Sequence, residues 1–213
     1  MKKHLMALLL LVSLLCTVLS GCGDGSAEQT PEDRAQANTI NVGIAQDLDE
    51  SLDPHKTVKA GTREVMFNVF EGLMKPTSNG DLTPAVAESY TVSDDHRTYT
   101  FTLREGVKFH NGDAVTAEDV IYSIQRCIAP AETGIVPVEA FSIITDIQAL
   151  DERTVAITIS EPSNEFISYL TTAILPADYE EQDTAPVGTG PFRFVSRTAQ
   201  DSIVLEKFDE YWG

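Results

Sequence analysis

The side chains best able to do chemistry crowd into one acidic run, Gln46-Asp47-Leu48-Asp49-Glu50-Ser51-Leu52-Asp53. Oxygen-bearing residues at 47, 49, 51 and 53 repeat the ligand spacing of a calcium loop. That loop also needs a glycine at its sharp turn and a bidentate glutamate at its end. Leu52 and Val58 occupy those two positions, so no calcium site is specified. Asp47 and Asp49 could alternatively serve as the clustered carboxylates of a hydrolase. Gly188 and Gly190 begin a dinucleotide fingerprint, but Pro191, Phe192 and Arg193 break it. The sequence has no Gly-Lys-Ser/Thr phosphate loop, no Gly-x-Ser-x-Gly elbow and no His-Glu-x-x-His helix. His4 lies in the apolar start of the chain, and His55, His96 and His110 sit singly in turn-like segments. No catalytic set, metal set or cofactor motif is assembled.

The reactive group with the clearest context is Cys22. Lys2 and Lys3 precede an apolar run from Leu5 to Leu19, 15 residues long, interrupted only by Ser13 and Thr17. A membrane-spanning helix needs ~20. A basic start, a short apolar middle and small residues at a cleavage point describe a secretory signal, residues 1–21. Leu19-Ser20-Gly21-Cys22 resembles the lipobox of bacterial lipoproteins, where a thiolate accepts a diacylglyceryl group. Cys22 is the expected lipid anchor, and 22–38, polar with one proline and no apolar period, is the expected disordered tether. The expected location is the outer face of the cytoplasmic membrane, or the periplasm.

Removal of the signal leaves 192 residues, and the net charge of −18 becomes −20 because the signal takes two lysines with it. Such a surface repels nucleic acid and anionic headgroups, which excludes nucleic acid as a partner. Cys127 is left without a disulfide partner, so stability must come from an apolar core.

Positioning these residues falls to a mixed α/β pattern. Ile40, Val42 and Ile44 alternate as in a strand, and the acidic run follows as a loop. Residues 61–71 carry Val65, Met66, Val69 and Phe70 at helical spacing, with Gly72 as terminator. Ser89–Val92 and Thr98–Leu103 predict a hairpin across Ser93-Asp94-Asp95-His96. Ile143–Leu150 and Val155–Ile159 predict a second, turning at Asp151-Glu152-Arg153, and Phe192–Val195 and Ser202–Lys207 read as further strands. Thr116-Ala117-Glu118-Asp119 opens a helix as a capping box with aspartate in the glutamate position. Val120, Ile121, Ile124, Cys127 and Ile128 share one 120° sector at ~100° per residue, and Tyr122 points the opposite way.

Three segments, in order, resemble the bacterial extracellular solute-binding proteins of family 5, which serve oligopeptide, dipeptide and nickel importers. The first pairs Ser51-Leu52-Asp53-Pro54-His55 with Asn68-Val69-Phe70-Glu71-Gly72-Leu73. The second runs from Leu82-Thr83-Pro84-Ala85 through Thr100-Phe101-Thr102-Leu103-Arg104-Glu105-Gly106 and Asn111-Gly112-Asp113 to Tyr122-Ser123. The third joins Pro186-Val187-Gly188-Thr189-Gly190-Pro191-Phe192 to Tyr211-Trp212-Gly213. The resemblance implies an α/β, periplasmic-binding-protein-like (type II) N-terminal lobe over 39–213, truncated before the second lobe. It implies no enzyme, but a lipid-anchored component of an ABC importer that hands a peptide or other small solute to a membrane permease. By the same resemblance, Gln46, Asp47, Leu48 and Asp49 in the loop, with Tyr122, face the ligand. Alternatives are a nickel-chelate binder of the same family, a lipid-anchored hydrolase, and a signalling or adhesion lipoprotein. Family members are longer and close two lobes about the ligand, so a single lobe is expected to bind weakly and to associate.

Overall fold

The computed structural model describes residues 39–128 and 134–213. The expected signal peptide (1–21), lipidation site Cys22 and tether (22–38) lie outside the described residues. The chain divides into two units, Met1–Gly43 and Ile44–Gly213. In the first, residues 39–43 carry no regular structure, and Ile40 and Val42 are 88% and 78% exposed. The predicted strand over Ile40–Ile44 therefore does not form. Alternating β-branched residues suit a pleated, half-buried surface, but a strand also needs a ladder and a covered face.

In the second unit the ordered segments are α1 (Ala60–Met66), β1 (Met74–Pro76), β2 (Leu82–Pro84), β3 (Ala87–Val92) and β4 (Thr98–Leu103). Then come α2 (Ala117–Ile128), a 3-10 turn (Glu139–Ile143), β5 (Ile144–Asp151), β6 (Thr154–Ile159) and α3 (Phe166–Tyr169). A 3-10 turn (Glu181–Asp183) and the hairpin β7 (Phe192–Thr198) with β8 (Ser202–Lys207) follow. Both predicted hairpins form, antiparallel, and β4 and β6 pair to join them into a sheet of order β3-β4-β6-β5.

Period-two patterning decides which face of that sheet is covered. Tyr99, Phe101 and Leu103 on β4 and Val155, Ile157 and Ile159 on β6 are buried, while the intervening threonines are half-exposed. The inner face meets Val120, Ile124 and Cys127 of α2, together with Phe141 and Phe166. Burial pushes the Cys127 thiol up to about 12, as befits an inert packed cysteine. A smaller cluster of Leu48, Leu52, Met66, Val69, Phe70 and Leu175 lies apart from this core.

The start of α2 carries the Asp119 half of the predicted capping box, with the Thr116 hydroxyl turned onto the carboxylate. The Thr116 backbone N–H and hydroxyl both donate to one Asp119 carboxylate oxygen at 2.8 Å. The other Asp119 oxygen accepts the Ala177 N–H at 2.9 Å, and the Ser123 hydroxyl accepts the Leu175 N–H at 2.8 Å. Two polar side chains of α2 thus satisfy the backbone N–H groups of Leu175 and Ala177, groups whose orphaning would cost ~1–3 kcal/mol each.

The first helix is shorter than its periodicity predicts. It stops at Met66 because the Asn68 side chain donates to the carbonyls of Glu64 and Val65 at 3.0 and 3.2 Å, diverting the last turn. Gly72 has a different task from termination. A Cβ there would lie 2.6 Å from the Leu170 carbonyl oxygen, so only glycine admits the crossing of two backbones.

The sheet makes a clear mutational contrast. Phe101→Ala, in the fully buried centre of β4, should cost ~3–5 kcal/mol. Thr100→Ala, on the other face, should stay within ~1 kcal/mol. Chemical denaturation midpoints read both.

Candidate functional site

The loop expected to face a ligand is held in place by its own chain. The Asp49 carboxylate accepts the backbone N–H groups of Val58 and Lys59 at 3.2 and 3.0 Å, just before α1, and its N–H donates to the Thr62 hydroxyl at 2.8 Å. Asp47 accepts the Leu48 N–H at 2.8 Å and pairs with Arg197 of β7 at 3.3 Å. Lys59 donates to the carbonyls of Asp47 and Leu48 at 3.4 and 3.1 Å.

These contacts set the electrostatics. For Asp47, desolvation, the largest single effect, raises the pKa. The Leu48 and Gln200 N–H groups and Arg197 outweigh it and hold the carboxyl below the usual carboxylate range. For Asp49, desolvation again raises, and Lys59, Thr62 and Val58 overcome it, lowering the carboxyl too. A general acid at neutral pH needs a raised pKa, and neither carboxyl has one. Neither is set up as a general acid. Among the described residues no cluster of histidine, cysteine and carboxylate side chains could hold a metal ion.

Leu48 is buried in the smaller apolar cluster, and Tyr122 packs against that same cluster, half-buried. Tyr122 does leave the main core, as its helical phase predicts, yet it lands on a second apolar surface. Gln46 is exposed. The structure therefore brings the loop and Tyr122 together through Leu48's neighbours.

Behind the loop lies a buried ionic network that the sequence pattern does not disclose. Arg126 of α2 forks onto Asp53 at 2.6 and 3.0 Å, with both side chains almost fully buried. Arg126 also donates to His55 Nδ1 at 3.1 Å, and His55 Nε2 lies 2.9 Å from the Ala173 carbonyl oxygen. A guanidinium cannot accept, so Nδ1 is the acceptor towards Arg126 and Nε2 the donor towards Ala173. Lys56 pairs with Asp183 at 2.9 Å, and Asp183 also accepts from the Ser51 hydroxyl. The Ser51 hydrogen bond and Lys56 keep Asp183 ionised below the usual carboxylate range. Helical phase alone puts Arg126 off the apolar stripe; only the fold reveals a buried partner from 73 residues away.

The Gly188-Thr189-Gly190-Pro191 turn sits against Asn68-Val69-Phe70. A Cβ on Gly188 would lie 2.2 Å from the Val69 carbonyl oxygen, and one on Gly190 2.6 Å from that of Asn68. Gly190 donates to the Val69 carbonyl at 2.9 Å and Phe192 to that of Asn68 at 3.0 Å. His110 spans the turn: Nδ1 accepts the Gly188 N–H at 3.3 Å, and Nε2 donates to the Gly190 carbonyl at 2.9 Å. The buried Thr189 hydroxyl between them has no hydrogen-bond partner.

The remaining shared segment is fixed by Glu71. Its carboxylate accepts from Lys75 at 3.0 Å, from the Tyr211 hydroxyl at 2.8 Å and from the Trp212 indole N–H at 2.7 Å. Lys75 and Arg104 lie 4.5 and 4.2 Å from the Trp212 ring centroid.

Comparison with known proteins places these features in a wider context. A family model described as bacterial extracellular solute-binding proteins, family 5 Middle, matches residues 81–213. The dipeptide-binding protein DppE of Bacillus subtilis is 30% identical over an alignment covering 93% of this chain and 42% of DppE. The glutathione-binding protein GsiB of Escherichia coli K12 is 34% identical, over 76% of this chain and 33% of GsiB. The structure of the Helicobacter pylori periplasmic binding protein DppA in complex with the peptide STSA superposes with a TM-score of 0.69. That match has 30% identity and covers 76% of this chain and 38% of DppA. The chain thus spans well under half the length of these relatives.

His110 supplies a pH test. Burial, the largest effect, lowers its pKa, Arg193 adds to this, and the Gly190 carbonyl opposes it. Because the folded value is depressed, its stabilising effect is complete above the ordinary histidine value of ~6.5 and fades as pH falls through the folded value. The melting temperature should drop as pH falls from ~6.5 towards the folded value, and less steeply in His110→Gln. Identical pH profiles for the two proteins would refute the assignment.

Proposed function

Since the chain belongs to the bacterial extracellular solute-binding proteins of family 5, we propose that it is the solute-capturing component of an ABC importer and that its solute is a peptide. The observation that carries this reading is the family match over 81–213, which spans the sheet, α2 and the Gly188–Pro191 turn. Relatives named for binding a dipeptide and glutathione, and one solved with the peptide STSA, support a peptide over other small solutes. The solute passes unchanged to a membrane permease, and Cys22 holds the protein at the outer face of the membrane through its lipid. Residues 1–21 act as the signal peptide, 22–38 as the tether and 39–213 as part of the solute-binding domain.

In this reading the loop Gln46-Asp47-Leu48-Asp49 and Tyr122 contribute one wall of the peptide site. Three features support that assignment: the loop's pinned backbone, Leu48 buried beneath it, and Tyr122 on the same apolar cluster. A preorganised wall reduces the ordering cost of binding.

Calorimetry of the native gene product with glutathione, a dipeptide and Ser-Thr-Ser-Ala tests the function. Binding of at least one, with the solute recovered intact and the melting temperature rising with its concentration, is the expected result. Recovery of cleaved peptide, or no binding to any of the three, would overturn it. Tyr122→Ala should weaken binding about tenfold while costing less stability than Phe101→Ala. Cys22→Ser should move the protein from the membrane to the soluble fraction, since stable attachment takes two or more acyl chains. Retention at the membrane would sink the anchor.

A further inference from the structure

We infer that Arg197 is a positioning residue for the candidate solute site, fixing the conformation of loop 47–50 from the β7–β8 hairpin. This rests on the reading of that loop as a site wall. The starting observation is an irregularity in register. Phe194 pairs with Leu205, and Arg197 with Ile203, but the ladder shifts by one residue between Phe194 and Ser196. In a regular strand Phe194 and Arg197 would point to opposite faces. The bulge brings them to the same face, beside Leu205 and Ile203. Phe194, Ile203 and Leu205 pack against the cluster that contains Leu48. The bulge therefore turns a charged side chain toward an apolar surface, where an uncompensated charge would be costly.

Loop 47–50 supplies the compensation. One guanidinium nitrogen of Arg197 donates to the carbonyls of Asp49 and Glu50 at 2.5 and 3.4 Å. The other donates to the Leu48 carbonyl and the Asp47 carboxylate, each at 3.3 Å. Four consecutive residues thus converge on a single planar fork, and its side chain remains only 15% exposed. Three of the four acceptors are backbone carbonyls, so Arg197 constrains where the loop's main chain runs as well as pairing a charge. Lysine lacks the fork geometry for this arrangement. The contact bridges about 150 residues of sequence, linking the loop to the strand that leaves the Gly188–Pro191 turn.

The test uses the native gene product and two readouts. Amide hydrogen exchange of the peptide covering 46–52 reports loop position directly, and calorimetry reports binding of whichever of glutathione, the dipeptide or Ser-Thr-Ser-Ala the wild type takes. Arg197→Ala should raise exchange in 46–52 about tenfold or more while leaving β4 protected. It should also weaken binding by about tenfold. Arg197→Lys should fail to restore either, and Arg193→Ala, on the same strand but paired outward with Glu206, should match wild type in both. Unchanged exchange in Arg197→Ala, or full restoration by lysine, overturns the positioning role. Raised exchange with unchanged binding also overturns it, because the loop would then be dispensable to the site. A wild type that binds none of the three probes overturns the transport reading and the ligand role with it; the exchange arm separates that failure from a failure of Arg197 to hold the loop.

Discussion

No side chain fits between the Gly188–Gly190 turn and the Asn68–Phe70 backbone, and most of the candidate site depends on that close approach. With two main chains in van der Waals contact, Gly190 and Phe192 can donate directly to Val69 and Asn68. The direction of β7 is set from there, and with it the place where Arg197 meets the acidic loop. The same contact seats Val69 and Phe70 in the smaller apolar cluster, beneath Leu48. Glycine's lack of a Cβ serves here as a dimension of the packing more than as conformational freedom.

The second layer of constraint is ionic. Asp53 and Arg126 are nearly excluded from water, an arrangement in which the attraction between charges mostly offsets their desolvation. Its structural value lies in coupling. Arg126 ties α2 to the end of the acidic loop, His55 carries the tie on to Ala173, and Ser51 and Lys56 connect it to Asp183. The loop is thus held at residues 47–49 by Val58, Lys59 and Thr62 at the start of α1, across 47–50 by Arg197 of the hairpin, and at Ser51 and Asp53 by this network.

Much of the fold was legible because its elements are locally consistent. Tyr99, Phe101 and Leu103 alternate with threonines, and the structure buries one set and half-exposes the other. Asp119 caps the Thr116 N–H at the start of α2, the half of the predicted box that forms. Periodicity misled where a strand or helix depends on a partner outside the window. Ile40–Ile44 alternates without becoming a strand, and Val69 and Phe70 keep helical spacing after Asn68 has ended the helix. The family resemblance pointed to the loop and Tyr122, but it gave no sign of Arg126 or Arg197. Helical phase leaves Arg126 off the apolar stripe, Arg197 lies beyond the predicted end of its strand at Val195, and a bulge decides where it points. Partners more than 70 residues apart leave no local trace.

Glu71 also has an optical consequence. The chain has one tryptophan, and its indole N–H is bound to this carboxylate while two cations lie close to its ring. Indole emission responds to nearby charge, so this single indole, excited at wavelengths that the six tyrosines do not absorb, reports one junction, that of Glu71, Lys75 and Arg104. Because that junction does not include the acidic loop, its spectrum offers a reference channel: a variant that disturbs the loop alone should leave the emission where it was.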